Sequence, residues 1–250
     1  MTSPITSRRN PRVAAAAALH RRRERAATGR TLLEGPHLLD AAIAAGVDII
    51  EVFALEDSAP GDVPADVSIV TAPVMARIAA TDHPRGPIAV IAIPEPAALR
   101  RHDTVVLWDV ADPGNAGTLL RSAAAFGYDL AVTAGTVDLW DPKVLRAAAG
   151  AHFGRTLIRL GPDPLPEFVA AGLAPVATVV DGGQLPEQAL AISGPVALLV
   201  GNEPHGLPDP VIAAAPAAVT IPMPGHTESL NVAAAGAILL YERRRLRPLS

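Results

Sequence analysis

Val105-Val106-Leu107-Trp108-Asp109-Val110, then Asp112-Pro113-Gly114-Asn115, then Ala116–Phe126: this run of residues decides the fold class. Val105–Val110 is apolar at nearly every position. A strand with one wet face alternates apolar and polar residues, whereas a strand buried on both faces does not alternate. The loop after it carries glycine, proline and asparagine, and the segment beyond it reads as a helix. Leu130–Thr133, Arg155–Leu160, Val176–Val180, Val196–Val200 and Ala217–Ile221 are further short apolar runs, with helical stretches between several of them and a last helix over Leu230–Leu246. Short buried strands that alternate with helices predict an α/β domain, a parallel sheet with helices on both faces.

Upstream, Pro94-Glu95-Pro96 and Arg100-Arg101-His102-Asp103 make a stiff and then polar break, so a linker is expected over residues 96–103. Strands are expected at Thr31–Glu34, Ile49–Leu55, Val67–Val70 and Ile88–Ile93, with helices at Pro36–Ala45 and from Pro73. That alternation predicts a small α/β unit over residues 29–95. Before it, residues 1–28 read as a basic arm, a helix opened by Pro11 and continued through Val13–Arg25. Residues 104–250 form the remaining, larger domain.

Of the 250 residues, half are apolar but only 3% are aromatic, and 49 are alanine, so the Val, Ile and Leu runs must supply most of the burial energy. With no cysteine, disulfide scaffolds, thiolate zinc sites and cysteine nucleophiles are excluded. No apolar run approaches the ~20 residues that cross a bilayer. The short run Val13–Leu19 is followed at once by Arg21–Arg23, unlike a secretory signal. A cytoplasmic protein is expected. The seven histidines are scattered and form no convincing metal-ligand cluster.

The formal charge of −4 hides a strong asymmetry. Residues 1–30 carry eight arginines against Glu24, a net charge of +7, which leaves −11 for the rest. Arg243, Arg244, Arg245 and Arg247 form a second basic cluster, and Lys143 is the single lysine. An arginine-rich arm on an acidic body suggests a polyanion held at one face. A solvated helix face would look the same by charge alone.

Open α/β sheets bind ligands beyond the carboxyl ends of their strands, so three loops matter most. In Asp112–Arg121, Gly114 and Gly117 permit close backbone approach, Asn115 suits a helix N-cap, and Arg121 lies nearly two turns further on. In Gly201-Asn202-Glu203-Pro204-His205-Gly206-Leu207 a buried strand runs into a polar turn, whose Glu203 could accept from an amine, a hydroxyl or an arginine. In Ile221-Pro222-Met223-Pro224-Gly225-His226-Thr227-Glu228-Ser229-Leu230-Asn231 two prolines stiffen a loop that ends in Ser229 and Asn231. Each loop has a bland alternative: a capping turn, an ordinary turn acid, and a cap at Thr227 or Glu228.

Taken together and in this order, the loops resemble the three signature motifs of the SpoU family of RNA ribose 2′-O-methyltransferases, members of the trefoil-knotted SPOUT superfamily. Asn115–Arg121 with Phe126-Gly127 resembles the first motif. Gly201-Asn202-Glu203 with Gly206-Leu207 resembles the second. Ile221-Pro222-Met223, Glu228–Val232 and Leu239–Glu242 resemble the third. Asp141-Pro142-Lys143, Arg146 and Gly150 are similar to the segment that connects these motifs. Residues 31–93, through Glu34-Gly35-Pro36-His37, resemble the small ribosomal-protein-like RNA-binding domain that often precedes the catalytic one.

The resemblance implies a knotted methyltransferase domain that binds S-adenosylmethionine against main-chain atoms at Gly201, Ile221 and Leu230. It implies Arg121 as the activating residue, with Asn115, Glu203, Ser229 and Asn231 positioning it and the ribose. It further implies an RNA substrate, ribosomal RNA ahead of transfer RNA, no metal, and a homodimer whose active site draws on both subunits. Guanidinium is a poor base, so the physical role open to Arg121 is to bind phosphate and stabilise developing alkoxide charge. Two other classes remain: a non-catalytic RNA-binding or ribosome-assembly factor, and a nucleotide-dependent oxidoreductase. The second lacks its Gly-rich dinucleotide loop.

Overall fold

The computed structural model describes residues 3–84, 86–225 and 227–247, so His226 of the third loop lies outside the described residues. In chain order come α1 (Pro11–Ala18), α2 (Arg22–Thr28), β1 (Arg30–Glu34), α3 (Pro36–Ala44), β2 (Ile49–Ala54), β3 (Val67–Ile69), α4 (Ala72–Ile78) and β4 (Ile88–Ala92). They are followed by β5 (Thr104–Leu107), α5 (Pro113–Phe126), β6 (Asp129–Val132), α6 (Pro142–Ala148), β7 (Leu157–Arg159) and α7 (Pro164–Ala170). The chain then forms β8 (Ala174–Thr178), α8 (Pro186–Ala189), β9 (Val196–Val200), α9 (Asp209–Ala214), β10 (Ala217–Val219) and α10 (Val232–Leu246). It divides into two compact units. One runs through Glu95 and adds Asp138–Gly154; the other holds Pro96–Val137 and everything from Arg155 onward. This division differs from the expected boundaries in three places: the basic stretch before residue 29 groups with the small α/β unit, the expected linker 96–103 belongs to the second unit, and Asp138–Gly154 groups with the first.

The first unit is built on a mixed sheet of order β1-β4-β2-β3, in which β4 runs antiparallel to both neighbours and β2 pairs parallel with β3. Successive residues of a strand face opposite sides. Leu32 accordingly packs with Val13, Leu19, Phe53 and Met75, while Leu33 packs with Leu38, Leu39, Ile91 and Leu145. Leu145 belongs to α6, and burying it is one reason that the segment Asp138–Gly154 groups here. The single helix expected through Arg25 is broken instead: α1 stops at Ala18, Arg21 is extended, and α2 ends at the left-handed Gly29. The break turns Leu19 inward and lets Arg25, 2% exposed, reach Asp138 at 2.7 Å and Asp141 at 2.9 Å. Arg25 also donates to the carbonyls of Leu19 and His20. Through Val13, Ala16 and Leu19 this stretch contributes to a core instead of standing as a free arm, and one of its arginines, Arg25, is neutralised by two carboxylates.

His152 shows how tightly that returning segment is packed. Its side chain is buried, Nε2 lies 2.7 Å from the Leu139 carbonyl, and buried Nδ1 has no partner among the described residues. Burial pushes its pKa down to about 4, against the opposing pull of the Leu139 carbonyl and Asp138. The unfolded chain then takes up a proton near pH 6.5 that the folded chain refuses until about pH 4. Stability is full above pH 6.5 and falls as pH drops through that window, by about 2 kcal/mol at pH 5. Urea unfolding at pH 7.5 and 5 should show this loss in the parent protein and a smaller one in His152→Gln, which keeps an N–H donor but does not titrate.

The second unit holds six parallel strands in the order β10-β8-β9-β5-β6-β7. Central β9 is buried along its whole length, as its unbroken apolar sequence requires. Val106, Ala131 and Leu199 pack with Phe168 of α7 and Val211 of α9 on one face. On the other, Gly236 of α10 lies against Leu119 of α5 and Val200. A parallel α/β sheet with helices on both faces is thus what the sequence predicts and what the chain forms. Two helix starts differ from expectation. Helix α5 begins at Pro113, with Asp112 as its cap accepting from the Asn115 N–H at 2.7 Å, so Asn115 is not the cap and its side chain is free for other work. Helix α10 begins at Val232, and its cap is Asn231, whose Oδ1 accepts from the N–H groups of Ala233 and Ala234. Strand β10 stops at Val219, which leaves Thr220–Gly225 outside any helix or strand.

Candidate active site

Beyond the carboxyl ends of β8, β9 and β10 lies an open crevice of about 740 Å³, lined among others by Val179, Gly201, Asn202, Ile221, Met223 and Leu230. Three loops meet there because three parallel strands end there. Gly201 directly follows β9, and the turn folds back so closely that a Cβ at this position would overlap Gly206 and come within 2.6 Å of the Leu207 nitrogen. Asn202 and Gly206 clasp the turn by reciprocal backbone hydrogen bonds of 3.1 and 2.8 Å. Across from it, Pro222 and Pro224 alternate with Ile221 and Met223, whose backbone groups make no hydrogen bond among the described residues. Those main-chain groups are available to a ligand.

At the lip of the crevice, side chains from the segments that follow β5, β9 and β10 are joined. Asn231 donates through Nδ2 to Asn115 Oδ1 at 2.9 Å, and Asn115 donates through its own Nδ2 to Glu203 Oε1 at 2.9 Å. Asn231 is held by capping α10, Asn115 by its place in the first turn of α5, and Glu203 by the clasped turn. The result is a fixed row of amides that ends in a carboxylate.

Of the eight residues singled out in the sequence, Gly201, Glu203, Ile221, Ser229, Leu230 and Asn231 line the crevice. Asn115 joins through its two hydrogen bonds. Arg121 stands apart: it is exposed, does not line the crevice, and makes no hydrogen bond or ion pair among the described residues. Ser229 likewise has no hydrogen bond among them. Sequence reasoning missed Thr178–Val180, which also line the crevice at the end of β8. The same rule about strand ends points to them, since Asp181-Gly182-Gly183 follows that strand. It also missed the second role of Asn202, whose Nδ2 donates to the Asp109 carbonyl at 2.7 Å.

The crevice suits a cofactor with apolar and hydrogen-bonding parts. Its volume falls within the range of small-molecule sites, roughly 300–1,000 Å³. Asn202 Oδ1 is buried in its wall with no donor among the described residues. A buried acceptor of this kind is costly unless something donates to it. The amine, ammonium and hydroxyl groups of S-adenosylmethionine are such donors, and Val179, Met223 and Leu239 offer apolar walls.

Comparison with known proteins agrees with this geometry. Residues 103–241 match the SpoU rRNA Methylase family, and residues 10–89 match an MRM3-like substrate binding domain. A 23S rRNA (guanosine(2553)-2′-O)-methyltransferase of Bacillus subtilis is 32% identical over 96% of this chain and 98% of its own length. A 23S rRNA (adenosine(1067)-2′-O)-methyltransferase of Streptomyces azureus is 30% identical over 85% of both. Among solved structures, an AdoMet-bound rRNA methyltransferase from Sinorhizobium meliloti superposes with a TM-score of 0.88 at 29% identity, covering 99% of each chain. Sequence motifs, strand order and crevice lead to one assignment: the chain belongs to the SpoU rRNA methylase family.

Proposed function

We propose that this protein transfers a methyl group from S-adenosylmethionine to a ribose 2′-hydroxyl of ribosomal RNA. The observation that carries the reading is the hydrogen-bonded row Asn231–Asn115–Glu203 at the lip of a cofactor-sized crevice. When bound, S-adenosylmethionine supplies an electrophilic methyl carbon on a sulfonium and departs as a neutral thioether. In this chain the main-chain groups at Gly201, Ile221 and Leu230 hold the cofactor, and the Asn231–Asn115–Glu203 row fixes the loops around it. Ser229, on the exposed side of the same loop, hydrogen-bonds the incoming ribose. In-line approach of the 2′-oxygen forms the new C–O bond as the C–S bond breaks, so alignment supplies much of the rate enhancement. Arg121 binds the adjoining phosphate and stabilises the charge that develops on the 2′-oxygen as its proton passes to solvent water.

Arg121 lies outside the crevice of its own chain, which supports a homodimer in which this residue serves the partner's cofactor. Exposed Ile238 and Tyr241 on α10 supply apolar surface for such a pairing. The likeness to solved family members supports the trefoil threading that the family implies. The first unit, with Arg22 and Arg23 exposed on α2, is read as the RNA-holding part. No helix among the described residues is long and apolar enough to cross a membrane, and we place the reaction in the cytoplasm with its RNA.

The test is mass-spectrometric mapping of ribose methylation in total RNA from cells with and without the protein, beside calorimetry with S-adenosylmethionine. One 2′-O-methyl mark on ribosomal RNA that depends on the protein is expected. A mark on transfer RNA alone reassigns the substrate, and cofactor binding with no mark anywhere returns the chain to the non-catalytic class.

A further inference from the structure

Asp109 follows the apolar run of β5 with φ at 55°, in the left-handed region that side-chain-bearing residues avoid. Its surroundings are built to hold it there. Thr133 Oγ1 donates to Asp109 Oδ1 at 2.6 Å and accepts from the Asp109 N–H at 2.9 Å. Thr136 Oγ1 donates to the Leu107 carbonyl at 2.8 Å and ties the same loop to the end of β5. Gly135 leaves room for the carboxylate, since a Cβ at that position would come within 2.6 Å of its carbon. Both threonines are buried.

This arrangement turns the Asp109 carbonyl toward Asn202, whose Nδ2 donates to it at 2.7 Å. Asn202 in turn opens and closes the clasped turn with Gly206, and the next residue is Glu203. One end of the Asn231–Asn115–Glu203 row is thus fixed through a carbonyl that points correctly only while Asp109 stays left-handed.

We infer that Asp109 is a positioning residue for methyl transfer: its left-handed backbone aims a carbonyl at Asn202 and so fixes the turn from which Glu203 reaches Asn115. The inference rests on the reading of this crevice as the methyl-transfer site. Strain held at a functional loop by a dedicated set of contacts is the pattern expected of pre-organisation.

Three substitutions separate the backbone from the side chain. Asp109→Ala removes the threonine clamp but keeps a Cβ, so the backbone relaxes and the carbonyl swings away from Asn202. Its kcat should fall by about 100-fold, while the cofactor Kd and the RNA KM stay within about threefold because Gly201 is still held by β9. Asp109→Gly loses the clamp as well, yet glycine adopts this conformation freely; it should keep most of the parent kcat. Asn202→Ala cuts the bond from its other end and should reproduce the fall in kcat at saturating cofactor, with a weaker cofactor Kd besides because its Oδ1 lines the crevice, and Asp109→Gly should add nothing to that fall. Amide hydrogen exchange reads the same point without turnover: in Asp109→Ala the Asn202 and Gly206 amides should exchange faster while Leu198–Val200 do not change.

Parent-like kcat and exchange in Asp109→Ala would overturn the inference, and so would a glycine variant no better than the alanine one. Should the alanine variant fail to fold, Asp109→Gly against Asn202→Ala makes the same comparison. If the parent protein methylates nothing, the exchange measurement still decides whether Asp109 fixes the turn, so failure of the functional reading is seen separately.

Discussion

Arg121→Ala is expected to lower kcat by two to three orders of magnitude, about the cost of removing one preorganised group that stabilises developing oxyanion charge. The fold gives it little else to disturb. Arg121 is exposed and makes no side-chain bond among the described residues, so the unfolding free energy from urea titration should change by less than about 0.5 kcal/mol. It does not line its own chain's crevice, so calorimetry should return the parent affinity for S-adenosylmethionine. Arg121→Lys keeps the charge but loses the planar fork that grips phosphate, and should fall between the two. Parent-level turnover in the alanine variant would remove this residue from the chemistry.

Gly201→Val is the second large effect, and it acts on the other half of the site. A Cβ at position 201 already collides with Gly206 and lies 2.6 Å from the Leu207 nitrogen, and these are backbone atoms of a closed turn that cannot step aside. The turn must open, displacing Glu203 and the crevice wall. Overpacking of this kind costs about 1–3 kcal/mol, and cofactor affinity should fall by at least tenfold, roughly the lower part of that range. The two variants together test the shared site. If Arg121 serves the partner's crevice, a mixed dimer of the two variants has one intact composite site. At a cofactor concentration too low to load the Gly201→Val crevice, a one-to-one mixture of the two proteins should then regain about a quarter of parent activity, since half the dimers are mixed and each restores one site of two. No recovery on subunit exchange would place both residues in one chain's site.

Much of this was legible in the amino acids and some was not, for physical reasons. The parallel sheet could be read because Val105–Val110 and Val196–Val200 show no alternation, and strand β9 was located to the residue. The ends of helices were harder. Asp112 and Asn115 are both good caps three residues apart, and only the folded chain shows that aspartate takes the backbone N–H and leaves the amide to reach Glu203. The crevice residues of the second and third loops were found through motif resemblance, while Val179 was missed because an apolar residue at a strand end looks like core. Asp109 was hidden for a different reason. Nothing in an Asp after Trp108 announces a left-handed backbone; that follows from Thr133 and Gly135, some 25 residues away. The basic stretch at the start reads as an arm because charge counting does not see that Val13, Ala16 and Leu19 point into a core.

The grouping of Asp138–Gly154 with the first unit bears on how relatives can be recombined. The covalent chain passes between units after Glu95, after Val137 and again after Gly154. A chimera made by swapping residues up to 95 alone would carry off half of a hydrophobic interface and strand Leu145, Trp140 and Phe153 without the leucines of α3 that cover them. A viable transplant has to move two stretches of gene together, which makes this small cassette harder to shuffle than its position at the start of the sequence suggests.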